Sequence, residues 1–197
     1  MKIMLKESLY YSKILLFGEY GIIKDSMGLS IPYSDYNGKF LFENENNPES
    51  KKSNKQLFSF LAHLKGLDKQ NSLPCNLDLA SLENDLNNNL YFDSSIPQGF
   101  GIGSSGAIVA AIYDKYCRED KILSDKDLQN EKILELKIIF SNLESYYHGT
   151  SSGLDPLICY LNLPILIKSK NNLGTVGIPS SNTVSYTHLT LPTTKNV

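Results

Sequence analysis

Arginine is almost absent from this chain: of its 19 basic residues only Arg118 is an arginine. There is no tryptophan, and there are three cysteines and three histidines in 197 residues. Each scarcity excludes something. With one guanidinium available, paired Arg–phosphate forks cannot be assembled, so a bound phosphate must be held by backbone N–H groups, lysine or a metal ion. A net charge of −2 without a basic cluster leaves no footprint for nucleic acid. Cys75, Cys117 and Cys159 are far apart, with no C-x-x-C pair, and read as buried thiols in a reducing, cytoplasmic setting. His63, His148 and His188 are too dispersed for a zinc site. The N-terminal "MKIMLKESLYYSKILLF" has no apolar block followed by a small-residue cleavage site. The uncharged stretch from Ser94 to Tyr113 has the length of a membrane span, but its first half is rich in Ser, Pro, Gln and Gly. No membrane partner is expected.

What is present supports one substantial domain. Short, Ile-rich runs punctuated by glycine predict strands at Ile14–Phe17, Gly21–Ile23 and Leu29–Tyr33. Asn37-Gly38 predicts a hairpin turn into a strand at Lys39–Phe42. The polar "ENENNPESKKSN" reads as a loop, after which Leu57, Phe58, Leu61 and Leu64 share a helical face that closes near Gly66. His63 lies off that face and is read as a rim residue. Strands are predicted at Asn76–Leu79 and Leu90–Phe92, and a small-residue helix from Ser104 with Ala107, Ala110 and Ala111. Ser124 reads as the N-cap of an amphipathic helix carrying Leu136, Ile139, Phe140, Leu143 and Tyr147 and ending near Gly149. A further helix starts at Pro156, and Ile165–Ile167 is a strand. Strands first, then helices and strands mixed, imply an α+β fold. The tail 184–197 shares neither the composition nor the periodicity of the rest and reads as non-native sequence, leaving 1–183 as the domain.

The chemistry concentrates in "IPQGFGIGSSGAIVA". Gly101-x-Gly103-x-x-Gly106 has dinucleotide-fingerprint spacing, but the loop lies mid-chain and no strand ending in an acid follows at the required distance. A Walker A loop would need Gly-Lys-Ser or Gly-Lys-Thr, which does not occur. Glycines nevertheless let backbone N–H groups approach a phosphate, the helix start adds its positive end, and Ser104 or Ser105 can add a hydroxyl for Mg²⁺. A buried glycine turn before a core helix is the bland alternative. In "ESYYHGTSSGLD", Glu144 closes a helix and Asp155 lies eleven positions on, across a glycine- and serine-rich turn. Two such acids can converge on one cation or one hydroxyl. Alternatively they are a surface acid and an N-cap before Pro156. Lys13 and Glu19 read by themselves as a solvated pair.

Together, "SKILLFGEYGIIKDSMGLSIP", "PQGFGIGSSGA" and "ESYYHGTSSGLD" resemble, in order and spacing, the first part of the GHMP kinases, the family of galactokinase, homoserine kinase, mevalonate kinase and phosphomevalonate kinase. The third segment looks most like that of the mevalonate kinases. The resemblance spans about residues 9–170. It implies an α+β N-terminal domain, of a fold shared with a ribosomal protein domain, followed by a ferredoxin-like C-terminal domain that the chain as read stops short of. It implies ATP at Pro97, Gly99, Gly101, Ile102, Gly103, Ser104, Ser105 and Gly106, with Mg²⁺ held by Ser105 and Glu144. Asp155 would orient or accept the proton of an alcohol, with Lys13 beside it offsetting transition-state charge. Glu19, Tyr20, His148, Gly149 and Ser152 would face the substrate, a small-molecule alcohol for which the resemblance suggests mevalonate. A homodimer of the full-length enzyme is compatible with it, and a nucleotide-binding module without catalysis is the rival reading. Two departures stand out. Gly18-Glu19-Tyr20-Gly21 replaces the Gly-Glu-His-Ala of many mevalonate kinases, and the family's C-terminal glycine-rich motif is absent. The 197 residues alone are therefore expected to be poorly active.

Overall fold

The computed structural model describes residues 8–18, 27–43, 47–118, 130–169 and 172–176. Among them run β1 (Tyr10–Phe17), β2 (Gly28–Phe42), α1 (Pro48–Lys69), α2 (Leu79–Asn87), β3 (Leu90–Ser94), α3 (Ser104–Tyr116), α4 (Asn130–His148), α5 (Leu154–Leu161), β4 (Ile165–Ser169) and β5 (Asn172–Thr175). The expected α+β class holds. Helices pack around one apolar core against an antiparallel sheet.

The sheet is organised by β2, whose 15 residues serve three neighbours. β1 pairs along it from Leu29 to Tyr33 and again at Asn37 and Gly38. β4 pairs with its first residues, Gly28 to Ser30, and β3 with its last, Gly38 to Phe42. The predicted hairpin at Asn37-Gly38 is therefore not formed: both residues lie inside a continuous strand, opposite Tyr11 and Tyr10. The glycine has another use there, because a Cβ at position 38 would strike the Phe92 ring. The irregularity that the pattern signalled is a break in register between Tyr11 and Ser12, opposite the stretch from Asn37 back to Tyr33.

Three further expectations are corrected. The presumed loop at Pro48 is the first turn of α1: Asn47 caps it by accepting the Glu49 N–H at 2.9 Å, and Pro48 occupies the position where a missing N–H costs nothing. α1 also runs through Gly66 to Lys69. Asn76–Leu79 forms only an isolated bridge, Leu77 to Cys117, and Asp78 caps α2 by accepting from the Ser81 N–H at 3.0 Å. Gly21–Ile23 and Ser124 lie outside the described residues.

The amphipathic readings of α1 and α4 succeed. Leu57, Leu61 and Leu64 of α1 are buried, joined by Phe60, while Phe58 is only partly buried; Leu136, Ile139, Phe140 and Leu143 line the buried side of α4, with Tyr147 partly buried. α3 is the central helix, its Ala107, Ala110, Ala111 and Ile112 without solvent exposure. Small side chains on that helix let β1, α4 and α5 all approach it. His63 is half-buried, its ring 5.0 Å from that of Tyr146. All three cysteines are buried thiols. No described helix is long and apolar enough to cross a membrane.

Candidate active site

Three segments that are remote in sequence meet at the start of α3. The loop Pro97–Gly103 leads into that helix, and Gly103 takes the N-cap position with φ +88°, a left-handed conformation that suits glycine. No side chain caps this end. The first N–H groups of α3, next to the positive end of the helix dipole, are thus left to the loop and its surroundings.

β1 is fastened beneath this loop. The Lys13 N–H donates to the Ile102 carbonyl at 3.0 Å, and the Tyr10 hydroxyl donates to Asp114 of α3 at 2.7 Å. Burial, with Asp114 beside it, pushes the Tyr10 phenol well above its usual range, so it stays a donor. The Lys13 stem passes under Gly103, where an added Cβ would lie 3.2 Å from Cγ of Lys13 and 3.5 Å from Sγ of Cys159. Burial pushes the Cys159 thiol far up, which favours its protonated form. The Lys13 ammonium emerges 2.8 Å from Oδ1 of Asp155, the lysine 12% and the aspartate 30% exposed. Asp155 stands in the first turn of α5, whose N-cap is Gly153 at φ +73°. Gly106 brings α3 against this turn: a Cβ there would come within 2.8 Å of the Asp155 carbonyl carbon.

Glu144, at 4% exposure, is the one buried acid among the described residues. Its carboxylate accepts from two serines, Ser105 at 3.0 Å on Oε1 and Ser151 in a short bond on Oε2. Ser151 is itself held, accepting the Gly153 N–H at 3.0 Å on its hydroxyl and the Ser141 hydroxyl at 2.6 Å on its carbonyl. Burial holds the Glu144 carboxyl above the ordinary range. The Ser151 bond opposes this, the Asp155 charge adds to it, and Ser105 and His148 oppose it more weakly. His148 Nε2 lies 3.0 Å from the Ser105 hydroxyl. This is not a hydrolytic triad, in which the acid orients the imidazole that activates the serine; here the serine is bonded to the acid itself.

Beside the serines opens a cleft of about 390 Å³ lined by Gln56 and Leu57 of α1, Gln98 of the loop, Ser105, Tyr147 and His148. A second cleft of about 380 Å³ shares Ser53, Gln98, Ser104 and Ile108 with it and continues past Tyr91 and Asp93 to Asn47. Lys13 and Asp155 line neither.

The predicted residues are thus gathered, with some changes of role. Lys13, Ser105, Glu144 and Asp155 converge as two contacting pairs. Gly99 and Gly101, at φ +83° and +68°, have open space where a side chain would project. Pro97 and Ile102 are half-buried, and Ser104 opens α3. Gly149 is exposed, and the Ser152 hydroxyl accepts the Leu154 N–H at 3.3 Å, supporting the start of α5. Glu19 and Tyr20 lie outside the described residues. Sequence reasoning passed over Ser151, because adjacent serines do not announce which one turns inward. It also passed over Ser53 and Gln56, because α1 begins in a stretch that reads as loop.

Among the described residues no three His, Cys, Asp or Glu side chains cluster into a self-sufficient metal site. Mg²⁺ bound to phosphates does not require one, since it retains waters and takes one or two protein oxygens. A buried, proton-hungry carboxylate joined to a serine hydroxyl at a helix N-terminus fits that demand.

In comparisons with known proteins, residues 73–162 match the family model "GHMP kinases N terminal domain". No curated protein matches the chain in sequence. Among solved structures, the chain is similar to mevalonate kinase from methicillin-resistant Staphylococcus aureus MRSA252, with 18% identity over 85% of this chain and 54% of that one, at a TM-score of 0.44. It is similar to Methanococcus jannaschii mevalonate kinase at 14% identity, 88% and 57% coverage and a TM-score of 0.47. L. major mevalonate kinase, solved in complex with R-mevalonate, gives 14% identity, 87% and 51% coverage and a TM-score of 0.44. The chain spans about half the length of these structures. The residues matched by that family model carry the glycine loop, Glu144 and Asp155.

Proposed function

We propose that the chain forms the nucleotide-binding part of an ATP-dependent small-molecule kinase that phosphorylates the primary hydroxyl of mevalonate to 5-phosphomevalonate, a step in isoprenoid precursor synthesis in the cytoplasm. The observation that carries the proposal is the convergence on one loop of a base-and-cation pair, Asp155 with Lys13, and a buried acid-and-hydroxyl pair, Glu144 with Ser105. A module that only binds nucleotide has no need of the first pair.

In this reading the ATP phosphates lie on the N–H groups of Gly99–Gly106, and the nucleoside extends into the clefts beyond Ser104. Ser105 and Glu144 would hold Mg²⁺, which supplies charge neutralisation on the transferring phosphate. Asp155 accepts the proton of the acceptor hydroxyl as its oxygen attacks phosphorus and the bond to the leaving oxygen of ADP breaks. Lys13 holds Asp155 at 2.8 Å and places a positive charge beside the developing negative one. With a single arginine in the chain, backbone amides, one lysine and the helix dipole carry the anion recognition. The choice of mevalonate over phosphomevalonate or another alcohol rests on the "HGTSSGLD" segment, and phosphomevalonate is the first alternative.

The test is ATP turnover with mevalonate, phosphomevalonate, homoserine and galactose as acceptors, on this chain and on the full-length gene product. Turnover of mevalonate alone by the full-length gene product is the expected result, with poor activity from this chain. Turnover of another alcohol in its place overturns the substrate assignment, and nucleotide binding without turnover of any alcohol supports the module.

A further inference from the structure

We infer that His148 is a positioning residue of the metal–nucleotide side of the site, acting through the Ser105 hydroxyl, and not a substrate contact. The inference rests on the proposed function, because it concerns which ligand the Ser105–Glu144 pair serves.

The argument is a count of hydrogens. Ser105 Oγ is 3.0 Å from Oε1 of Glu144 and 3.0 Å from Nε2 of His148, and a hydroxyl has one proton to give. A carboxylate can only accept, so that proton goes to Glu144. The contact with His148 is then made only if the imidazole donates, which fixes the tautomer with hydrogen on Nε2. One of the two lone pairs of the serine oxygen is occupied by the histidine, and the other is left for a cation. Held from two sides, the hydroxyl has no freedom to rotate.

The placement of the ring agrees. His148 is the last residue of α4, one turn beyond Glu144, so one helix end delivers both partners of Ser105. The ring lines the cleft that also holds Gln56, Gln98 and Ser104, whereas Lys13 and Asp155 do not line it. Tyr147, its neighbour on the same wall, has its phenol pushed up by burial and adds no charge there.

Partners that orient a metal ligand without touching the metal are typically worth about 10- to 100-fold in metal affinity. The experiment is a titration of the protein with Mn²⁺ and ADP, followed by the Mn²⁺ electron paramagnetic resonance signal, for the unsubstituted chain, H148A, H148F and H148Q. The expected result is at least about tenfold weaker Mn²⁺·ADP binding in H148A and H148F. H148Q, whose side-chain N–H reaches a similar distance, should recover most of it. In turnover assays the KM for MgATP should rise, with the KM for the alcohol unchanged. If H148A and H148F bind Mn²⁺·ADP as the unsubstituted chain does, or the KM for the alcohol alone rises, the inference is overturned while the proposed function stands. If the unsubstituted chain binds no Mn²⁺·ADP, both fall together. Circular dichroism of H148A and H148F, matched to that of the unsubstituted chain, separates loss of the hydrogen bond from loss of the fold.

Discussion

Gly153 and Gly149 offer a controlled pair for testing how tightly the turn between the two acids is built. Both have left-handed backbones, φ +73° and +72°, so an alanine at either position meets the same local strain, about 1–2 kcal/mol. Their surroundings differ. Around Gly149 nothing lies within 4 Å of the added Cβ. At Gly153 the Cβ would fall against the carbonyl oxygen of Lys137 and 2.7 Å from the Ser141 nitrogen, both backbone atoms of α4 that no rotamer change can move. Overpacking of this kind costs a further ~1–3 kcal/mol. Gly149→Ala should therefore lose about 1–2 kcal/mol and Gly153→Ala about 2–5. For a chain of this size each kcal/mol lowers Tm by about 2–4 °C, which thermal unfolding by circular dichroism resolves. Because Gly153 also donates to Ser151, the clamp on Glu144, its alanine variant should bind Mn²⁺·ADP more weakly, while Gly149→Ala should not. Equal Tm losses in the two variants would refute the reasoning, since the close approach of α5 to α4 would then have no energetic weight.

Other consequences are as direct. Glu144→Gln should raise the Tm of the ligand-free protein at neutral pH: with its carboxyl held above the unfolded value, the folded state binds the proton more tightly, so stability falls as pH rises from about 4.3 upward. The difference should vanish near pH 4, and a Tm unchanged at pH 7.5 would contradict it. Asp155→Asn should cut turnover about 10²- to 10⁴-fold with ADP binding nearly intact, checked by coupled assay and calorimetry; equal losses in both would place Asp155 in nucleotide binding instead. Gly38→Ala should cost ~1–3 kcal/mol against the Phe92 ring, measured by denaturant unfolding, whereas a tolerated alanine would show that the ring gives way.

What could be read from sequence was what local chemistry decides. The buried side of α4 followed from the spacing of Leu136, Phe140 and Leu143, and the start of α3 at Ser104 from the change to small apolar residues. What could not be read depends on contacts distant in sequence. Asn37-Gly38 has the composition of a turn, but three strands claim β2 and a phenylalanine ring from β3 covers the glycine, so tertiary pairing overrides the local signal. Pro48 reads as part of a loop although Asn47-Pro48 is a cap-and-first-turn pair, because asparagine-rich surroundings suit a loop equally well. In the site, residue types alone suggest Lys13 with Glu19 and Glu144 with Asp155; the pairs Lys13–Asp155 and Ser105–Glu144 follow from the family resemblance, and the partner of His148 is set by where α4 ends relative to α3.

The two acids of the site differ in how their charge is met, and that difference is why the proposed reading assigns the cation to the buried one. Asp155, partly exposed and joined to Lys13, already has its countercharge within the protein. Among the described residues, Glu144 is hydrogen-bonded by two neutral hydroxyls, and Asp155 nearby makes its charge less favourable still. Without a ligand that arrangement is a cost, which the protein bears as a raised proton affinity. In the proposed reading, a divalent cation held on the Ser105 side would offset the desolvation and the repulsion at once, so that free energy would reappear as affinity for the cation.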